Sequence, residues 1–310
     1  MIPSLIDKIL ERSAGICLYG LAPPKRTTTS QQLDEIVSRQ LERLRLLPID
    51  GLIIYDLQDE AERIAEPRPF PFLPTIDPEV YAHDSLDGLR VPKVVYRCIN
   101  RDTPGSLTRY LERQQAAATP RLAVLVGAPS RRSTTGLSLA SAYALARGHA
   151  PDMLLGGVAI AERHAKNGRE HERMLAKTEQ GCRFFVTQAV YDVGSTQRLI
   201  SDYAIAARRK GNAPLPVILT FSPCGSVKTL TFMKWLGIAF PEQLENALLA
   251  SEDPLAMSLD ICEHVFADVW DHGREMGVPI GINVESVSIR RSEIEASVDL
   301  LMRLRRRMGA

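Results

Sequence analysis

The chain has 310 residues, 45% hydrophobic and 24% charged, the composition of an ordinary globular enzyme rather than a disordered or fibrous chain. Lys plus Arg total 38 against 37 Asp plus Glu, so the basic excess of a dedicated nucleic-acid binder is missing. The longest apolar stretches, such as 154–161, fall far short of the roughly 20 residues of a membrane helix.

The opening segment MIPSLIDKILERSAG reads as a helix, and its charges interrupt any apolar signal-peptide core. Short runs dense in Val, Ile and Leu then recur at 15–21, 51–56, 94–99, 121–127, 154–160, 182–188, 216–221 and 279–285. Such runs are expected of parallel strands buried on both faces. Amphipathic helices fall between them. Residues 31–47 place Leu33, Ile36, Val37, Leu41 and Leu44 at helical spacing, and 106–117, 137–147, 170–179, 196–209, 255–275 and 292–307 behave alike. Strand then helix, eight times over, predicts one (β/α)8 barrel spanning 1–310 as a single catalytic domain. A doubly wound dinucleotide fold is disfavoured because no GxGxxG follows the first strand.

Two connections are oversized. Residues 58–81 after the second strand contain PRPFPFLP, read as an extended strap packing aromatics on the barrel or as a direct ligand contact. Residues 228–254 after the seventh strand are expected to hold one or two extra helices. Long βα loops build the active-site rim of such barrels.

Five widely spaced cysteines, Cys17, Cys98, Cys182, Cys224 and Cys262, form no CxxC pair. They read as small core residues of a cytoplasmic protein. Cys224, in Ser-Pro-Cys-Gly-Ser, has no evident base, so a tight turn explains it better than a nucleophile.

The carboxyl ends of barrel strands face the active site. Those ends carry Tyr19-Gly20 with Lys25 and Arg26 beyond, Tyr55-Asp56 with Arg63 beyond, Arg97, Gly127 followed by Arg131 and Arg132, Glu162 and His164, Gln188, Cys224, then Asn283, Glu285, Arg290 and Arg291. The arginines and Lys25 form a basic rim, either solvated or attracting a polyglutamyl tail or pyrophosphate. Alternation along the last strand sets Gly281, Asn283 and Glu285 on one face, expected to point inward. Glu285 is then a functional carboxylate or one arm of a salt bridge. Glu162-x-His164 and Glu170-His171 suggest metal ligands, but no third and fourth partner stands at a recognisable spacing, so no metal is expected.

Several of these segments resemble the methylenetetrahydrofolate reductase family. Pro23-Pro24-Lys25 after the first strand is similar to the family's Phe-Glu-Phe-Phe-Pro-Pro opening, and Thr103-Pro104 to its Thr-Pro. Val126-Gly127-Ala128-Pro129 resembles its Arg-Gly-Asp-x-Pro turn, and residues 159–164 its Ala-Tyr-Pro-Glu-x-His. Lys177, Gly181 and Val186-Thr187-Gln188 match Lys-x-x-x-Gly and Ile-Thr-Gln, and residues 289–294 resemble Leu-Asn-Arg-Ala-Glu-Met. YDLQDE, RPFPF and NVESVSIR are similar to segments of a divergent branch. The similarity runs over nearly the whole chain.

The resemblance implies a barrel in which NAD(P)H reduces 5,10-methylene- to 5-methyltetrahydrofolate, in the family with FAD as hydride carrier. It puts His164 and Lys177 at the cofactor and Gln188 and Arg291 at the folate; by their places at the strand ends, Arg97 and Glu162 are expected on the cofactor side and Asn283 and Tyr55 on the substrate side. Four family residues are replaced. The glutamate that helps protonate the folate is Gly20, the aspartate of Arg-Gly-Asp is Ala128, the third-strand histidine is Val95 and the tyrosine before Pro-Glu-x-His is Ile160. The flavin is thereby put in question, and a relocated acid is expected at Glu285 or Asp56. The alternative is a folate-dependent methyl or one-carbon transferase without nicotinamide chemistry. A non-catalytic folate binder is disfavoured by the inward carboxylates. Oligomeric state is left open.

Overall fold

A computed structural model describes residues 3–60, 66–127 and 136–309, the side chain of Arg101 excepted. Eight strands follow one another in the order β1-β2-β3-β4-β5-β6-β7-β8 of a closed parallel barrel, the (β/α)8 fold read from the alternation of runs. The strands are β1 (Cys17–Leu21), β2 (Gly51–Ile54), β3 (Lys93–Cys98), β4 (Leu122–Val126), β5 (Leu154–Ala159), β6 (Cys182–Ala189), β7 (Val217–Phe221) and β8 (Ile280–Val284). Each lies within a residue or two of its predicted run, and β2, β7 and β8 are buried at every position.

By contacts the chain divides into two compact units, Gly20–Gly156 and Met1–Tyr19 with Gly157–Ala310. In the first, Ile54 pairs with Val95, Val95 with Ala123 and Val124 with Gly156, all in parallel register. Its helices are α2 (Ser30–Leu44), the single turn α3 (Pro78–Val80) running into a π-turn at Tyr81–Ser85, α4 (Pro104–Gln115) and α5 (Leu139–His149). Helix α4 starts two residues before its predicted position. Thr103 caps it reciprocally with Ser106, and Pro104 at the first helical turn gives up an N–H that has no partner there anyway. The strap is anchored at its far end. Lys25 and Thr75 form an antiparallel bridge, flanked by Arg26 N–H to Pro74 C=O and Ile76 N–H to Pro24 C=O, both 2.8 Å. Arg68 stacks over the Phe72 ring at 5.3 Å.

In the second unit Cys17 pairs with Ile282, Val217 with Ile280 and Phe185 with Val217. Its helices are α1 (Leu5–Leu10), α6 (Ala161–Asn167), α7 (Glu170–Glu179), α8 (Val193–Arg209), α9 (Val227–Trp235), α10 (Glu242–Ala250), α11 (Pro254–Glu275) and α12 (Arg291–Arg307). Helices α9 and α10 are the extra helices expected after the seventh strand. Phe184, Phe185, Phe221 and Phe266 fill its core. Among the described residues no helix is long and apolar enough to cross a membrane.

Candidate functional site

The strand ends of the unit Gly20–Gly156 centre on Asp56, two residues past β2. Its carboxylate accepts the Cys98 backbone N–H at 2.7 Å and the Gln58 side-chain amide at 2.6 Å. Burial pushes the carboxyl above its ordinary value despite both bonds. Tyr55 and Tyr96 meet edge to face at 4.9 Å. Arg97, expected beside a cofactor, forks onto Asp102 at 2.9 and 2.8 Å and lies 4.2 Å over the Tyr110 ring. Ser106 Oγ donates to the same carboxylate at 2.7 Å. Gly136 packs so tightly on Asn100 that a Cβ there would come within 2.2 Å of its carbonyl oxygen. Ala128, Arg131 and Arg132, and Arg63 in the preceding loop, lie outside the described residues.

A polar cavity of about 250 Å³ in this unit is lined by Glu79, His83, Asp84, Arg113, Gln114 and Arg121. Arg121 immediately precedes β4, so the cavity lies at the amino ends of the strands, the end that stabilises barrels rather than the one that carries chemistry.

In the other unit, β6 carries one extra residue against β7. Val186 pairs with Ile218, yet Ala189 pairs with Thr220. The Thr187 hydroxyl closes the gap by accepting the Thr220 N–H at 3.0 Å. Bulges of this kind re-aim side chains beside sites, and this one aims Gln188, whose amide donates to the Leu236 carbonyl at 2.7 Å. Glu162, next to the end of β5, accepts the Ala239 N–H at 3.2 Å. Burial pushes its carboxyl up, and nearby Asp192 adds to the shift. The long connection after β7 is thus tied by backbone groups to the ends of β5 and β6.

Asn283 is fully buried and donates to the Thr220 hydroxyl at 3.3 Å. Glu285 follows β8, its N–H bonded to Phe221 C=O. Ser222 joins the ends of β7 and β8 by accepting Val287 N–H at 3.2 Å, while its own carbonyl accepts the Tyr191 hydroxyl at 2.6 Å. Cys224 is buried in this turn and its N–H is held by Ser258 Oγ at 3.0 Å. Burial pushes its thiol to about 12, which opposes formation of the thiolate that a nucleophile needs. Glu293 is buried beneath, accepting the Thr229 hydroxyl at 3.0 Å. Arg291 points away, 89% exposed and paired with Glu295 at 2.7 Å.

Two residues expected at the cofactor are engaged by protein groups. His164 is 1% exposed, and its Nε2 meets Asp202 Oδ2 of α8 at 2.9 Å. Lys177 on α7 donates to the Val158 carbonyl at 2.5 Å, and burial pulls its ammonium down. A flavin needs donor side chains free to reach it. Lys177 and Arg97 instead close on protein partners and His164 is buried, so that set does not fit the group. Asp102 and Asp202, which take Arg97 and His164, carried no signal in the sequence: the first caps a turn, and the second sits mid-helix, 38 residues from its partner.

No protein-family model matches the chain. No curated protein matches it. Among solved structures, a GH10 xylanase from Thermobacillus composti (TM-score 0.50, 10% identity, 96% of this chain and 98% of that one) and a GH113 β-1,4-mannanase (TM-score 0.51, 12% identity, 94% and 99%) share the fold alone. An uncharacterized protein from Clostridium thermocellum, described as binding two copies of 5-methyl-5,6,7,8-tetrahydrofolic acid, aligns with a TM-score of 0.87 and 42% identity, over 98% of this chain and 100% of that one. With that identity held across its length, the chain belongs to the family of the Clostridium thermocellum protein.

Proposed function

We propose that the chain binds a reduced folate at the carboxyl ends of its strands and reduces 5,10-methylene- to 5-methyltetrahydrofolate with NAD(P)H. The observation that carries the reading is the 42% identity, over 98% of the chain, to a protein that binds 5-methyltetrahydrofolic acid. The motifs similar to methylenetetrahydrofolate reductases support the finer step, in order and spacing.

NAD(P)H, when bound, supplies the hydride. What the chain must supply is a proton and a position. Protonation of folate N10 breaks its bond to the bridging carbon and leaves an N5 iminium. Hydride addition to that carbon completes the methyl group and leaves NAD(P)+. We assign the proton to Asp56, a carboxyl that burial holds above its usual range, with Glu285 as the second carboxylate of the assignment. A positioned acid contributes about 10²–10⁴-fold to such a step. Gln188, Asn283 and Tyr55 are assigned to the folate, and Glu162 to the nicotinamide side. Arg291, turned to Glu295, reaches a folate only by leaving that partner. Flavin has no part in this reading.

The test is calorimetric titration with 5-methyltetrahydrofolate, followed by NADH and NADPH oxidation with and without methylenetetrahydrofolate. Absence of binding would sink the folate reading. Binding without folate-dependent oxidation would sink the reductase step and leave the transferase chemistry.

A further inference from the structure

We infer a divalent transition-metal site in the helical layer, formed by His164, His171 and Asp202. One nitrogen of each imidazole and one carboxylate oxygen lie within 4.8 Å of one another. The three residues come from α6, α7 and α8. The left-handed cap at Gly168 (φ 65°) ends α6 and turns the chain so that α7 begins two residues later. This brings two histidines seven positions apart to an edge-to-face contact with ring centroids 5.4 Å apart. The fully buried Glu170 holds the corner, accepting the Ile160 N–H at 3.3 Å and pairing with Arg173 at 3.2 Å.

Two observations point to a ligand rather than a packing contact. Nδ1 of His164 and Nδ1 of His171 are both buried and have no hydrogen-bond partner. Each is a polar atom taken from water without compensation, a cost that buried groups ordinarily avoid. The second is the carboxylate. Asp202 already holds the His164 ring, and its side chain is 45% exposed, whereas that of His164 is fully buried. An ion therefore has an entry path on the Asp202 side.

Two imidazoles and one carboxylate are a borderline donor set that suits zinc and its neighbours in the first transition row and leaves coordination positions for water. Zinc bonds of about 2.0–2.1 Å put tetrahedral ligands about 3.3 Å apart. The site is independent of the folate reading, because none of the three side chains is assigned to substrate or acid there.

The experiment uses the full chain without a histidine tag, stripped with a chelator and titrated with zinc against a chromophoric competitor. One equivalent is expected to bind. Asp202→Asn, half-exposed and near-isosteric, and His171→Ala should each weaken that binding by more than about 100-fold, beyond the loss that an outer-shell partner produces. Cobalt in the same site should give visible d–d bands that disappear in His171→Ala. Circular dichroism of both variants establishes that they remain folded. If His171→Ala unfolds, the affinity and cobalt spectrum of Asp202→Asn decide alone. Failure of the wild type to compete for zinc would overturn the site. So would equal binding by the folded variants, since the ion would then sit on other surface histidines.

Discussion

Arg97 and Asp102 stand five residues apart and close a two-pronged ion pair across the 3₁₀ turn at Ile99–Arg101, at 2.9 and 2.8 Å. The pair consumes a side chain that sequence position alone would give to a ligand. Its consequence is structural. Asp102→Ala leaves a half-buried guanidinium over Tyr110 with no carboxylate and should lower unfolding stability by about 3 kcal/mol, the lower end for breaking a buried pair from one side. Asp102→Asn, which keeps an acceptor, should cost clearly less. Urea denaturation of the two variants checks the order. Equal losses would mean that the fork contributes little.

Asp56 gives a prediction with a sign. Its folded-state pKa lies above the ordinary value of 3.8 because burial disfavours the charged form. The folded chain therefore holds this proton more tightly than the unfolded chain. Stability from this group is full below 3.8 and declines as pH rises through the raised folded value. Asp56→Asn, which cannot ionise, should compare better with the wild type at pH 7 than at pH 4 in denaturant titrations. The opposite order would mean that the pKa is depressed.

The same substitution tests the assigned acid. Folate-dependent NAD(P)H oxidation should fall about 10²–10⁴-fold in Asp56→Asn, with the KM for folate changed much less. Turnover that survives in Asp56→Asn and falls in Glu285→Gln would move the acid to Glu285. Full turnover in both would remove the relocated acid altogether.

Thiol labelling should follow burial. Cys98 is the one partly exposed cysteine of the five, and Cys224 and Cys262 have thiols pushed to about 12. Native protein treated with a maleimide at pH 7.5 should be modified at Cys98 first, with Cys224 and Cys262 reacting only after denaturation, as read by peptide mass spectrometry. Rapid native labelling of Cys224 would restore the nucleophile reading.

Gly273 lies in α11 where an added Cβ would come 2.3 Å from Ile280 Cγ1. Alanine gains about 1 kcal/mol in helix propensity over glycine, but overpacking costs about 1–3 kcal/mol or more. Gly273→Ala should be net destabilising in thermal denaturation, and the double variant Gly273→Ala/Ile280→Val should remain destabilised because Cγ1 persists. Gly273→Ala/Ile280→Ala removes the clash and should show a favourable coupling.

The sequence by itself determined the barrel. Buried parallel strands need unbroken runs of Val, Ile and Leu, and helices need a 3.6-residue stripe; both are local patterns, so all eight strands and helices such as Glu170–Glu179 are legible within a residue or two. It also supplied the polar residues at the strand ends, because strand direction alone decides which end they occupy. What it could not supply was which side chain meets which. His164 reads as a cofactor contact until α8 presents Asp202 to it, and Arg97 reads as a rim cation until Asp102 folds back on it. Gln188 looks like one more residue of an alternating strand, but the extra residue in β6 breaks that alternation. Only the tertiary structure decides these pairings, because they depend on side chains far apart in sequence, on a register shift or, for Arg97 and Asp102, on how the turn between them folds, and an ion pair or hydrogen bond forms only within about 3 Å.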